Sequence, residues 1–240
     1  MHSSFDRRVV SETILRFVRQ CQQRIPCHLG GGAALAGVYL AHRTTGDVDL
    51  FVHDAEDMRA LVGLLEEIAG DSGVSTTIVR DTGRLVRARL HADGRITELD
   101  VVHEPLPDLE PPPPPVEGIT VESLADLRAN KLTCVLSRSE PRDLVDLYFL
   151  DRAGHPPEQD LSLALAKDAG IDPGVLAWLL ARFPLEPLPD MLEELSVSEL
   201  ESFRDSLAQR LRRIALGSQA LDGSAVEGRS ASAPALDPDG

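Results

Sequence analysis

Between residues 29 and 52 the chain reads LGGGAALAGVYLAHRTTGDVDLFV, and no other stretch restricts its fold so strongly. A glycine run opens a short helix, and a strand follows that carries two aspartates one residue apart. A glycine-to-helix turn offers backbone N–H groups to a phosphate, and the helix dipole adds to the attraction. Alternate residues of a strand point the same way, so Asp47 and Asp49 present two carboxylates on one side and Val48 and Leu50 face the other. Carboxylates together with nucleotide phosphates are a common means of holding Mg²⁺. Each half by itself also fits a structural role, as a turn into an Ala-rich helix and a turn before a strand. In this order they read as a site for a nucleoside triphosphate and Mg²⁺.

The surrounding periodicity predicts an amphipathic helix over 5–24, with Val9, Ile14, Leu15 and Val18 on one stripe and Pro26 ending it. A short buried strand over 27–29 leads into the glycines, and residues 33–41 form the helix behind them. The aspartate strand spans 47–53, and a helix over 54–69 lines up Met58, Leu61, Leu65 and Ile68. Three β-rich runs follow, 74–80, 84–91 and 95–103, joined by Asp/Gly turns. In the middle run Arg87, Arg89 and His91 share a face, which suits the solvated face of an edge strand somewhat better than a basic shelf for phosphate or RNA. In the third run Glu98 and Asp100 share a face of a buried strand. Burying acids there is costly unless they bind a cation or accept hydrogen bonds, which makes Asp100 a candidate third metal ligand.

The polyproline run 111–115 is a stiff connector that separates two halves. Residues 1–104 read as the catalytic core, 105–117 as the connector and 118–216 as a helical domain. Ser123 and Asp126 have capping-box spacing for a helix to about residue 138. Pro141 opens a second helix, and weaker helical segments lie near 158–169, 173–182, 190–195 and 197–216. From Gly217 the Gly/Ser/Ala/Pro-rich sequence predicts a disordered tail, 217–240.

The net charge of −15 is uneven: residues 1–103 hold 12 Arg/Lys against 14 Asp/Glu, and the remainder 12 against 25. Such a surface repels nucleic acid in general and leaves room only for a locally basic cleft in the first half. Three cysteines without a CxxC pair point away from a disulfide framework or a zinc site. The seven histidines show no ligand spacing and read as surface or core residues. No apolar leader or membrane-length run is present, so a soluble, cytoplasmic protein is expected. Only Lys131 and Lys167 are lysines among 24 basic residues, which suggests that Lys131 is there for its compact ammonium.

Gly31-Gly32, Asp47-Val48-Asp49-Leu50 and the later Asp100 resemble the signature of the DNA-polymerase-β-like nucleotidyltransferase superfamily. Together with NKLTCVLSRSEPRDLVDLYFL, which carries Lys131, Arg138, Asp143 and Asp146, the pattern is similar to the AbiEii/AbiGii-type nucleotidyltransferase toxins over roughly residues 10–150. Three features depart from it: Ala33 stands where relatives often have Ser or Thr, the spacer from Gly32 to Asp47 is long, and the connector and acidic C-terminus lie outside the pattern.

The resemblance implies an α+β fold, with a polymerase-β-like core of a small mixed sheet and flanking helices followed by a helical C-terminal half. It implies transfer of a nucleoside monophosphate from an NTP to an acceptor hydroxyl, in the toxin branch on tRNA or another RNA, within a toxin–antitoxin or abortive-infection system and opposite a separately encoded antitoxin. Asp47, Asp49 and Asp100 would hold two Mg²⁺ ions, with Asp100 also taking up the acceptor's proton. Gly31 and Gly32 would hold the triphosphate, Lys131 would neutralise its charge, and Asp143 would orient Lys131 or the nucleotide. Asp143 fits almost as well the role of an acid favouring a helix N-terminus, and Asp146 and Arg138 read as ion pairs between helices. Two other readings stay open, a transferase acting on a small polycation such as an aminoglycoside, and a degenerate nucleotide-binding module.

Overall fold

The computed structural model describes residues 4–227. A five-stranded sheet is formed by β1 (His28–Gly30), β2 (Asp47–Val52), β3 (Ser75–Asp81), β4 (Leu85–Ala92) and β5 (Arg95–His103), in the order β1-β2-β5-β4-β3. β2 and β5 are parallel and the other neighbours antiparallel. Alternation along β2 and β4 buries Val48, Leu50, Val52, Val86, Ala88 and Leu90 on one face, and Leu99 and Val101 of β5 are buried with them. The helix α3 (Ala55–Asp71) packs over these residues, and α1 (Glu12–Arg24) packs on α3. The opposite face keeps the polar members of each strand. β4 lies inside the sheet, so its arginines are not on an edge strand; β3 takes the edge because its hairpin with β4 extends the meander outward.

Local hydrogen bonds set the ends of the elements. α1 starts at Glu12, later than its periodicity suggests, because the Ser11 hydroxyl accepts from the Ile14 amide and caps the helix there. Phe5, Val9 and Val10 are buried all the same, in the turns that precede it. Asp54 caps α3 by accepting from Glu56 and Asp57. The glycine run forms α2 (Gly31–Ala34), which widens into a π-helical turn over Leu35–Leu40. The Ala41 amide reaches back to the Ala36 carbonyl at 2.9 Å, and Ala41 itself is left-handed, φ 53°.

The C-terminal half is helical: α4 (Leu124–Ser137), α5 (Pro141–Arg152), α6 (Leu161–Lys167), α7 (Pro173–Leu180) and α8 (Val197–Glu227), with a 3₁₀ turn over Pro157–Asp160. Residues 190–195 are not helical. Their backbone groups pair with 42–44 instead: the Thr44 amide donates to the Asp190 carbonyl, and the Leu192 and Glu193 amides donate to the His42 carbonyl. α8 runs through Gly217 to Glu227, where a tail was expected; Ala and Leu in this stretch tolerate a helix. Residues 228–240 of that tail lie outside the described residues. One hydrophobic core takes in side chains from both sides of the polyproline run, for example Leu29, Leu50, Leu132 and Leu147. No helix among the described residues is long and apolar enough to cross a membrane.

Candidate active site

The register builds a polar row across the sheet. Gly30 lies opposite Asp49, Asp49 opposite Asp100, and Asp100 opposite Arg87. In the neighbouring row Asp47 faces Glu98, which faces Arg89. Directly opposed residues share a face, so the three candidate aspartates converge on one side of the sheet. They are held differently. Arg87 grips Asp100 with two hydrogen bonds of 2.8 and 2.7 Å. Asp47 accepts from the Thr45 hydroxyl and from the guanidinium of Arg142 on α5. Although burial opposes it, the Arg142 charge and these hydrogen bonds hold the Asp47 carboxyl below its usual range. Asp49 has no arginine or hydroxyl partner among the described residues. Its carboxyl is pushed up to about 6, first by burial and then by the charges of Asp47 and Asp100, with Lys131 acting in the opposite sense.

The glycines are explained by their neighbours. Gly31 has φ +58°, and a Cβ there would lie 1.8 Å from Asp49 Oδ2. A Cβ on Gly32 would lie 2.8 Å from Arg43 Nη2, and one on Gly30 would lie 2.1 Å from Glu122 Oε2. Glu122 is thus a buried acid directly under the turn. Its Oε1 accepts from Asn130 at 3.0 Å, and Oε2 lies buried against the glycine turn. Burial, then the Asp126 and Asp49 charges, push this carboxyl up to about 8.

Behind the carboxylates lies a second charge cluster, buried except for Arg138 at its rim. Asp146 accepts from Arg43 at 2.7 and 2.8 Å, lies 2.7 Å from His42 Nε2, and lies 2.6 Å from Lys131 Nζ. Lys131 also lies 3.3 Å from Asp143 Oδ1, and Arg138 bonds Asp143 at 2.9 and 3.0 Å. Burial disfavours the Lys131 ammonium, but Asp146 and Asp143 outweigh it and keep the charge in place. Asp143 therefore holds Lys131 in position as well as standing in the first turn of α5.

Sequence reasoning missed Arg43, His42, Arg142 and Glu122. A signal existed for Arg43, which stands four residues before Asp47 in the HRTTGDVDLF block. Glu122 follows an unremarkable apolar stretch, and only the pairing of Leu29 with Val121 brings it under the glycines.

The donor set at Asp47, Asp49 and Asp100 is entirely oxygen, which fits Mg²⁺. Asp49, left unneutralised between two other carboxylates, is where a cation would relieve the most repulsion. Arg87 occupies both oxygens of Asp100, so that residue would bind through its remaining lone pairs. A cavity of about 710 Å³ opens beside Asp47, lined in part by Arg7, Arg8, Thr44, Gly46 and Arg95.

Residues 16–223 match the family model described as nucleotidyl transferase AbiEii toxin, type IV toxin–antitoxin system. No curated protein matches the chain. Among solved structures, a protein of H. pylori described as a nucleotidyltransferase aligns with TM-score 0.57 and 22% identity, over 86% of this chain and 95% of that one. JHP933 of Helicobacter pylori aligns with TM-score 0.54 and 20% identity, over 91% and 99%. MenT4, a nucleotidyltransferase toxin of Mycobacterium tuberculosis H37Rv, aligns with TM-score 0.52 and 16% identity, over 84% and 85%. At these identities the structural likeness concerns the fold, an α+β nucleotidyltransferase architecture.

Proposed function

The chain belongs to the AbiEii family of nucleotidyltransferase toxins of type IV toxin–antitoxin systems, and from that premise we propose that it moves a nucleoside monophosphate from an NTP to a hydroxyl of an RNA acceptor, tRNA foremost, with Mg²⁺ as cofactor and a separately encoded antitoxin as its partner. The observation that carries this reading is the convergence of Asp47, Asp49 and Asp100 beside Gly31, with the Lys131 ammonium fixed behind them. Asp47, Asp49 and Asp100 hold the cation. Mg²⁺ bound there supplies charge to the attacking and leaving oxygens of an in-line displacement. Lys131, positioned by Asp143 and Asp146, adds positive charge on the phosphate side without needing to reorganise. The Gly31-Gly32 turn admits the triphosphate close to the backbone. Arg80 and Arg89, exposed on or beside the carboxylate face, and Arg95 at the adjoining cavity give an RNA end a local basic path within an acidic protein, whereas Arg7 and Arg8 of that cavity are paired with Glu12, Glu117 and Asp6.

The test is incubation with each α-³²P-labelled NTP, Mg²⁺ and total RNA, beside Asp49→Ala as control. Label entering RNA with the parent and falling at least about 10³-fold with the variant supports the reading. Undiminished transfer by a folded Asp49→Ala protein ends the carboxylate model, and label passing only to small molecules ends the RNA assignment.

A further inference from the structure

Two of the histidines that look unrelated in sequence meet in space. His28 opens β1 opposite Phe51, and His53 follows β2 two residues beyond Phe51, so both lie on the carboxylate face. Asp108, from the segment after β5, joins them. One ligand atom from each of the three lies within 4.8 Å of the others. We propose that His28, His53 and Asp108 form a binding site for a transition-metal ion, best suited to Zn²⁺, distinct from the aspartate cluster.

The geometry is close to what a small ion requires. His53 Nε2 lies 3.1 Å from Asp108 Oδ1, and His28 Nδ1 lies 3.6 Å from Asp108 Oδ2. Zn²⁺ with bonds of about 2.0–2.2 Å draws tetrahedral ligand atoms to about 3.3–3.6 Å from one another, so little movement is needed. The His53 ring is oriented by its other nitrogen: Nδ1 lies 2.8 Å from the Glu104 carbonyl oxygen. Donation from Nδ1–H fixes the tautomer and leaves the Nε2 lone pair facing Asp108, the usual arrangement around a metal-bound imidazole. Glu104 is itself anchored, its amide donating to the Val52 carbonyl at 2.9 Å.

Ligand chemistry sets this site apart from the aspartates. Imidazole nitrogens favour Zn²⁺ and its neighbours, whereas Mg²⁺ prefers oxygen. Three protein ligands leave a fourth position for water, and His53 is 39% exposed, which gives an ion a way in. His53 stands four positions along the chain from Asp49, with Leu50, Phe51 and Val52 of β2 between them, roughly 13 Å at the rise of a strand. The ion would act as a staple. The residues after Asp108 donate their amides to Asp126, Leu109 at 3.0 Å and Glu110 at 3.3 Å, and Asp126 stands in the first turn of α4, the helix that bears Lys131. Metal at Asp108 would tie that helix to the sheet.

The full chain, stripped with a chelator, is titrated with Co²⁺ and then Zn²⁺ while visible absorbance is followed. One equivalent of Co²⁺ should give a tetrahedral visible band that Zn²⁺ abolishes and excess Mg²⁺ does not. The band should persist in Asp49→Ala, disappear in His53→Gln and His28→Ala, and require about 100-fold more Co²⁺ in Asp108→Asn. Zn²⁺ should raise Tm in the parent and not in His53→Gln, whose exposed position leaves folding intact. The absence of a band in the parent, an unchanged band in His53→Gln, or its loss in Asp49→Ala would overturn the assignment.

Discussion

Arg43 and Asp146, 103 positions apart in sequence, meet through two hydrogen bonds of 2.7 and 2.8 Å at a place where their side chains are 2% and 0% exposed. Two charges so deep are tolerable only as a set, since each loses its hydration and must recover it from partners. Lys131 and His42 complete the set around the same carboxylate. The cluster ties the loop between α2 and β2 to α4 and α5, and so joins the sheet to the helical half.

Removing the hub should therefore be costly. Asp146→Ala leaves the Arg43 and Lys131 charges buried without their main counter-ion and is expected to lower the unfolding free energy by about 3–5 kcal/mol. Urea unfolding followed by circular dichroism measures it. A loss below about 1 kcal/mol would show that water or Asp143 satisfies these cations instead.

The glycine turn gives a contrast between two substitutions. Gly31→Ala places a methyl where Asp49 Oδ2 now sits and puts alanine at φ +58°, whereas a Cβ on Gly46 meets nothing within 4 Å. Gly31→Ala should lose about 2 kcal/mol or more, the left-handed backbone alone accounting for about 1–2, and should lower nucleotide transfer by displacing Asp49. Gly46→Ala should leave both nearly unchanged. Thermal unfolding and the labelled-NTP assay, run side by side, compare the two.

The sequence made legible what depends on short-range pattern. The alternation of Asp47 and Asp49 against Val48 and Leu50, and of Asp100 against Leu99 and Val101, placed the aspartates on strands, and the Asp/Gly turns gave the meander. Pairings between distant segments were not legible. Nothing in the alternation of β4 says whether it is an edge, because that depends on where β3 lies. Residues 190–195 have a helical pattern, yet their amides find partners at 42–44. His28, His53 and Asp108 have no motif spacing, since β1, β2 and the segment after β5 bring them together. Arg43 is a similar case: its partner comes from a helix in the other half of the chain.

Glu122 sets a pH dependence. Its folded-state carboxyl lies at about 8, raised from an ordinary 4.5 by burial and by the Asp126 and Asp49 charges. Between those values the folded state binds more protons than the unfolded one, so stability is fully present below pH 4.5 and declines as pH rises through 8. Glu122→Gln can still accept the Asn130 hydrogen bond and has no charge to desolvate. It should be the more stable protein at pH 8.5, by up to a few kcal/mol, with the difference shrinking toward pH 5. Urea midpoints for both proteins across this range decide it; parallel curves would place the proton elsewhere.

The acceptor path can be separated from the chemistry. Arg87 is committed to Asp100, so the arginines of this region available to a substrate are the exposed Arg80 and Arg89, the first opposite Arg87 and the second opposite Glu98. Neither touches the Asp47–Asp49 pair or Lys131 in the structure, so reversing their charge should leave NTP binding alone. An RNA backbone crossing this face would lose two favourable contacts and gain two repulsive ones. The double variant Arg80→Glu/Arg89→Glu is expected to reduce labelling of RNA at least about 10-fold at low salt, with a shallower salt dependence than the parent because fewer counterions are released, while KM for the NTP is unchanged. Steady-state labelling at two salt concentrations reads both quantities. If RNA labelling survives the double reversal, the acceptor approaches from the cavity bounded by Arg7, Arg8 and Arg95, and the same measurement on variants of those residues locates it.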